Sequence, residues 1–244
     1  MSTSVVRAMR ILELLSGAGR PMTLTALSED LEIPKSTAHS ILKSLAGRGF
    51  LDVDEYQGYT VGLKAFEVGA SHLRSTNAVE VVIPQLVELT RALGITSHYA
   101  ILDGADAVYL CKEDPPGLGL KLASSVGARL PAHTTAVGKA ALASLPEARA
   151  AGFLAAIAGR KEGRGAMEKL HRELAAVRER GYSADDGDTA QGVRCVAAPV
   201  TYPSGPPGSI GVSYLVGSAL DDRLVIDGVM QAASRASDVL GHRS

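Results

Sequence analysis

From Thr23 to Arg48 the chain reads as two short helices joined by a tight turn, and the second helix has two very different faces. Ala38, Ile41, Leu42 and Leu45 recur at i, i+3, i+4 and i+7, the spacing of one face of an α-helix. Pro34 suits its first turn, where a missing N–H costs nothing. Thr23 or Thr25 suits the N-cap of the helix before it, over about residues 25–31. On the opposite face stand Ser36, His39, Ser40 and Lys43, all hydrogen-bond donors and none acidic. From Ile33 to Leu51 there are Lys35, Lys43 and Arg48 and no carboxylate. A helix that packs by one face and offers donors and positive charge on the other suits a DNA major groove. An ordinary solvated helix face has the same composition, so the flanking sequence must decide.

That flank changes period. Phe50–Val53 and Tyr59–Val61 read as short strands around Asp54-Glu55-Tyr56-Gln57-Gly58, a hairpin with Gly at its tip. Before the pair of helices, Val5–Leu15 is an amphipathic helix stopped by Gly17 and Gly19. Three helices and a hairpin make a winged helix-turn-helix. In the wing, Tyr56, Gln57 and Tyr59 are the candidate contacts to nucleic acid, and the alternative for Tyr59 is simple packing against Phe50. Within the helix, Lys35 and Lys43 suit phosphates, while Ser36, Thr37, His39 and Ser40 suit base edges. Net charge is −1, and residues 1–76 hold eight basic and eight acidic side chains. Any DNA contact must therefore come from a local patch, and binding by more than one copy is expected.

Leu63–Leu73 reads as a connecting helix, followed by a polar stretch that marks a boundary near residues 76–78. We expect a winged helix-turn-helix over residues 1–62, a linker helix over 63–78 and an effector domain over 79–244. The last part begins with a helix over Val79–Leu93 that is kinked or restarted at Pro84 and ended by Gly94. Strands follow at Ser97–Leu102, Ala107–Lys112 and Gly119–Ser124, then helices at Ala136–Ala143, Glu147–Ala158 and Met167–Arg180. A hairpin of Cys195–Tyr202 with Ser209–Leu215 and a closing helix over Asp221–Leu240 complete it. Hairpins dominate, so the fold class is α+β with a mostly antiparallel sheet.

Two cysteines, Cys111 and Cys195, build no disulfide framework. With no signal-like segment and no apolar run of 18 residues, a reducing cytoplasm is expected and a membrane is not. Cys195, His133 and Asp185 contain the types for a cysteine nucleophile, but Cys195 sits among Val and Ala with nothing to activate it. Zinc held by His98, Cys111, His133 and Cys195 is conceivable, yet no metal-ligand spacing supports it. No enzyme activity, metal or cofactor is expected.

Several blocks now resemble one family. Ile33-Pro34-Lys35-Ser36-Thr37-Ala38, Gly49-Phe50-Leu51 and Tyr59-Thr60-Val61-Gly62-Leu63 resemble the winged-helix half of IclR-type (isocitrate lyase regulator) bacterial transcription factors. Leu130-Pro131-Ala132-His133-Thr134-Thr135-Ala136-Val137-Gly138-Lys139-Ala140 and Gly192-Val193-Arg194-Cys195-Val196-Ala197-Ala198-Pro199-Val200 resemble the effector half. Thr134 stands where the family usually has Ala, and Leu215 where a second Ser is frequent after Ser213. The resemblance implies a GAF-like second domain, a dimer or tetramer, duplex operator DNA and a small-molecule effector as partners.

It also implies that Leu122, Leu130, Ala136, Val137, Asp185, Cys195 and Ser213 surround the effector. Independently, the loop Ala128–Pro131 runs into a helix whose first-turn N–H groups and dipole suit an organic acid. Simpler roles exist for each residue: Leu122 and Leu130 as core, Cys195 as an inert buried thiol, Ser213 bonded to neighbouring backbone, Asp185 and Asp186 as a solvated turn. A rival from another class is a sensor or scaffold whose winged helix binds protein instead of DNA.

Overall fold

The computed structural model describes residues 3–54, 56–75, 78–117, 124–187, 189–202 and 205–242, with backbone alone at 72–75 and 164. The chain divides into two units, Met1–Ser75 and Thr76–Ser244.

In the first unit, helix α1 (Thr3–Ala18) precedes α2 (Leu24–Asp30) and α3 (Lys35–Ala46). Thr23 caps α2, its Oγ1 accepting from the Ala26 N–H at 3.2 Å. The turn into α3 is held by Ser28, whose buried hydroxyl donates to the Ile33 carbonyl at 2.6 Å, while Glu32 takes the left-handed conformation there (φ 55°). Ile11, Leu15, Leu27, Leu31, Ala38, Ile41, Leu42 and Leu51 form the core, so α3 buries the face its apolar spacing predicts. The wing is β1 (Leu51–Asp54) and β2 (Gly58–Val61), paired antiparallel. Asp54 closes its turn by accepting from the N–H groups of Tyr56 and Gln57, each at 2.8 Å. The wing is fastened to the segment before α2 by two backbone bonds between Met22 and Tyr59, at 3.0 and 2.9 Å. This close approach requires glycine at position 58, where φ is +108° and a Cβ would lie 2.4 Å from the Met22 carbonyl oxygen. Helix α4 (Leu63–Ser75) closes the unit and leaves Leu63 and Phe66 68% and 67% exposed.

The second unit is built on a sheet whose six strands, among the described residues, run in the order β5-β4-β3-β8-β7-β6. They are β3 (Thr96–Asp103), β4 (Asp106–Glu113), β5 (Arg129–Pro131), β6 (Ser183–Asp186), β7 (Val193–Val200) and β8 (Gly208–Leu215), and every neighbouring pair is antiparallel. Period-two alternation sends β3 side chains to two different cores. Tyr99 and Ile101 join the layer formed by α5 (Ala78–Leu93) and α10 (Asp222–His242). Ala100 packs with α6 (Ala136–Ala143), and Leu102 joins the layer beyond it, where α6 meets α7 (Glu147–Gly159) and α9 (Met167–Arg180). A short α8 (Lys161–Arg164) lies in the segment after α7. Helix α5 is continuous through Pro84, and is fixed to β3 by the Ser97 hydroxyl, which bonds Thr90 Oγ1 at 2.7 Å and the Leu86 carbonyl at 3.0 Å.

Two strands were not expected from the sequence. Ala128–Pro131 reads as a loop, and a solvated turn is one reading of Asp185 and Asp186, yet Arg129–Pro131 and Ser183–Asp186 are the two edge strands, β5 and β6. Each is extended because it pairs with a strong neighbour, β4 or β7, and not because its residues favour strand. The strand expected over Gly119–Ser124 lies, Ser124 apart, outside the described residues.

Candidate nucleic-acid interface and ligand cavity

Helix α3 turns its polar side chains outward. Lys35, Ser36, His39, Ser40 and Lys43 are exposed and Thr37 is half-buried, while Ala38, Ile41 and Leu42 are inside. At the wing, Tyr56 is 94% exposed and Gln57 is exposed. Tyr59 is half-buried and packs on the helical core, while its backbone bridges to Met22. Its side chain thus holds the wing in place.

The second unit contains a small, partly open cavity between the sheet and the start of α6, with a volume of about 30 Å³. Of the residues expected around an effector, Leu130, Ala136, Val137, Cys195 and Ser213 line it. Asp185 stands behind the wall: it is buried, and its carboxylate accepts from Thr189, a lining residue, at 2.5 Å. Leu122 is outside the described residues. Sequence reasoning missed Tyr109, Ser124, Thr135, Thr189, Ala190 and Val193 on the wall, and named His98 only as a possible metal ligand. The signal for His98 is its strand period, which puts it on the same face as Thr96 and Ala100.

Sheet register explains why these residues meet. Asp185 pairs with Cys195, Cys195 with Ser213, and Ser213 with Thr96, a polar row across β6, β7, β8 and β3. Within the row, Cys195 Sγ and Ser213 Oγ lie 3.2 Å apart. Burial, assisted by the Asp185 and Asp186 carboxylates, pushes the Cys195 thiol up to about 11, so it stays protonated and unreactive at neutral pH. His133 is not on the cavity wall, so the cysteine–histidine–aspartate set is not assembled there. Among the described residues no group of three His, Cys, Asp or Glu is placed to hold a metal ion.

Helix α6 begins at the wall. Thr135 caps it, its Oγ1 accepting from the Gly138 N–H at 3.1 Å, which leaves the N–H groups of Ala136 and Val137 without intrahelical acceptors. Gly138 permits the approach, since a Cβ there would fall 2.2 Å from the Ala132 carbonyl oxygen. His98 is 2% exposed, and its ring meets Tyr109 edge-on with centroids 5.1 Å apart. Burial, with Lys112 nearby, lowers its pKa to about 3, so the imidazole is neutral. Away from the cavity, Asp106 takes both Arg160 guanidinium nitrogens at 2.5 and 2.9 Å and ties the segment after α7 to the start of β4. These bonds hold the Asp106 carboxyl below its ordinary value.

An outward donor-rich helix with a wing, joined to a unit that encloses a small cavity, defines a DNA-binding protein with a ligand-binding domain. Residues 4–55 match the IclR helix-turn-helix domain, and residues 70–238 match the bacterial transcriptional regulator IclR C-terminal domain. The chain belongs to the IclR family of bacterial transcriptional regulators. It is similar to the HTH-type transcriptional regulator XynR of Escherichia coli K12, with 37% identity over 208 residues, 81% of this chain and 79% of the relative. It is also similar to the transcriptional repressor IclR of the same organism, with 31% identity over 239 residues, 93% of this chain and 85% of the relative. A crystal structure of an IclR homologue from Microbacterium hydrocarbonoxydans complexed with 4-hydroxybenzoate shares the fold, with TM-score 0.81, 19% identity and coverage of 99% and 100% of the two chains. These relatives are regulators and not enzymes. No helix among the described residues is long and apolar enough to cross a membrane.

Proposed function

We propose that paired copies of this chain read a palindromic operator through α3, and that a small organic acid in the second-unit cavity changes operator affinity. The observation that carries the DNA half is the outward face of α3, which presents Lys35, Ser36, His39, Ser40 and Lys43 with no acidic side chain among them. Lys35 and Lys43 contact phosphates, and Ser36, Thr37, His39 and Ser40 lie at base edges. Gln57 reaches the backbone beside the groove, with Tyr59 setting the wing from behind. Half-sites are spaced by about one helical turn (~10 bp) or a multiple.

The acid reading is supported by the α6 N–H groups at the cavity wall and by the absence of a charged side chain among the lining residues described. The ligand-bound relative carries a carboxylic acid, 4-hydroxybenzoate. A second copy is called for because one α3 in an evenly charged unit offers few phosphate contacts, and because α4 leaves Leu63 and Phe66 uncovered within its unit. We place the domain boundaries at residue 62 and residue 78, with α4 as the linker, and the working compartment as the cytoplasm.

The test is selection of fragments of the source genome by the purified chain. A shared palindrome is expected. Lys43→Ala should then weaken binding to all sequences and lower the salt slope by about one, whereas His39→Ala should relax preference at one base pair. Sequence-blind binding, or equal losses for both variants on matched and scrambled sites, would overturn the reading.

A further inference from the structure

Helices α7 and α9 both pack on α6, and between them lies a cleft of about 510 Å³. It is larger than the cavity at the start of α6, and its size is that of a small-molecule site. The floor is apolar: Leu145, Ala150 and Leu174 are buried and Leu154 is half-buried. The walls are two helix faces at i, i+3 and i+7 spacing, Glu147, Ala150 and Leu154 on α7 and His171, Leu174 and Arg178 on α9. Arg178 makes one end of the cleft cationic. Its Nε donates to the carbonyl of Ala143, the last residue of α6, at 3.2 Å. That bond sets the later half of α9 beside the start of α7 and leaves the Nη groups of the guanidinium for another acceptor. Arg149 lines an adjoining recess that shares Leu145 and Pro146 with the cleft. Among the described residues neither arginine has a carboxylate partner, and Glu147, the one carboxylate among the lining residues, makes no ion pair with Arg178.

We propose that this cleft is a second ligand site, separate from the cavity at α6, and that it takes a medium-chain carboxylate. The head group meets the Nη groups of Arg178, a planar fork that pairs with a carboxylate through two parallel hydrogen bonds. The alkyl chain lies over Leu145, Leu154 and Leu174, where it takes apolar surface out of water. At ~1.5 Å per residue the wall from Glu147 to Leu154 runs about 10 Å, which limits the length of chain that can be covered. Charge complementarity selects the acid: a cationic amphiphile of the same length meets an unpaired arginine, and a neutral one leaves it unmatched. The shoulders of the cleft carry Ala148, Ala151 and Ala155 on α7 and Ala175 on α9, exposed and small, so the entrance is open. Neither the operator nor occupancy of the α6 cavity enters this assignment.

The chain has no Trp. Ala151→Trp, at an exposed position between Glu147 and Leu154 on the same helix face, therefore places a lone fluorophore at the cleft. Hexanoate, octanoate and octyltrimethylammonium are titrated into this full-length variant. Octanoate should shift the Trp emission to the blue with saturation. It should bind about tenfold more tightly than hexanoate, which buries two fewer methylenes, and about fivefold more tightly than the ammonium. Added to the same background, Arg178→Gln should bring the acid and the ammonium within about twofold of each other. Ala175→Glu and Ala175→Lys, exposed changes that leave the core alone, should weaken and tighten octanoate binding a few fold. Equal affinity for acid and ammonium, a preference for the acid that Arg178→Gln and Ala175→Glu leave intact, or no saturable shift with any probe overturns the proposal. A Trp already blue-shifted without probe, and moving with protein concentration, means that a second copy covers the cleft and overturns it too.

Discussion

Replacing His98 by Phe should remove about 2 kcal/mol of acid sensitivity from the second unit. The folded side chain is 2% exposed, and its pKa falls from the ordinary 6.5 to about 3 through burial. Above pH 6.5 neither state holds the proton, and the stability is fully present. As pH falls below 6.5 the unfolded chain takes up a proton that the folded chain refuses, so stability drops by about 1.4 kcal/mol per pH unit until the folded group titrates. From pH 7.5 to 5.0 the loss comes to about 2 kcal/mol. The shifted groups around the ring change little over this range: Asp114 is held anionic, and Tyr109 and Cys195 keep their protons. Phe fills the same space with no titrating nitrogen. Urea unfolding of the full chain at both pH values reads the effect. With a slope of about 2 kcal/mol per molar, the second-unit midpoint of the wild type should move roughly 1 M further than that of His98→Phe. An equal shift in the two proteins would refute the claim that this imidazole is buried and neutral.

Other expectations concern the remaining elements. Gly58→Ala should destabilise the first unit by more than ~2 kcal/mol, because it combines a left-handed backbone with a clash against the Met22 carbonyl. By contrast, Gly17→Ala in α1, where a Cβ meets nothing within 4 Å, should stabilise it by about 0.5–1 kcal/mol; opposite shifts in thermal melting are the check. Asp106 is held below its ordinary pKa by Arg160, so its stabilisation is present above about pH 4 and is lost as pH falls through the depressed value. Asp106→Asn should therefore melt lower at pH 7 yet lose less than the wild type on acidification to pH 3. Leu63→Ser combined with Phe66→Ser should split the paired copies in sedimentation and weaken operator binding more than tenfold, and no change in either would clear α4 of a pairing role.

The helices of both units were legible because burial on one side imposes the 3.6-residue period. Ala38, Ile41 and Leu42 announce α3, and Thr23 and Gly94 mark true helix ends. The wing was legible from its turn chemistry, with Asp54 and Gly58 doing the work their types suggest. The edge strands were not. Ser183-Ala184-Asp185-Asp186 has no strand propensity of its own, and only pairing with β7 draws it out. For the same reason the sequence left Asp185 between an effector contact and a solvated turn, and register buries it behind the cavity. The cavity wall is gathered from segments far apart in the chain, so spacing alone could not collect it. Tyr109, Ser124 and Thr189 carry no local mark of membership.

The outward side chains of α3 take almost no part in the core beneath them. They can be exchanged at little cost in folding, so the sequence read on DNA is free to drift from one descendant to the next. The cavity is built differently. Tyr109, Ala136, Val137 and Cys195 are at once ligand wall and packed interior. A lineage that changes its ligand must repack a core in the same step. Ancestry should therefore leave ligand chemistry more slowly altered than operator sequence, with new ligands entering first through substitutions at Ser124 and the segment around Thr189.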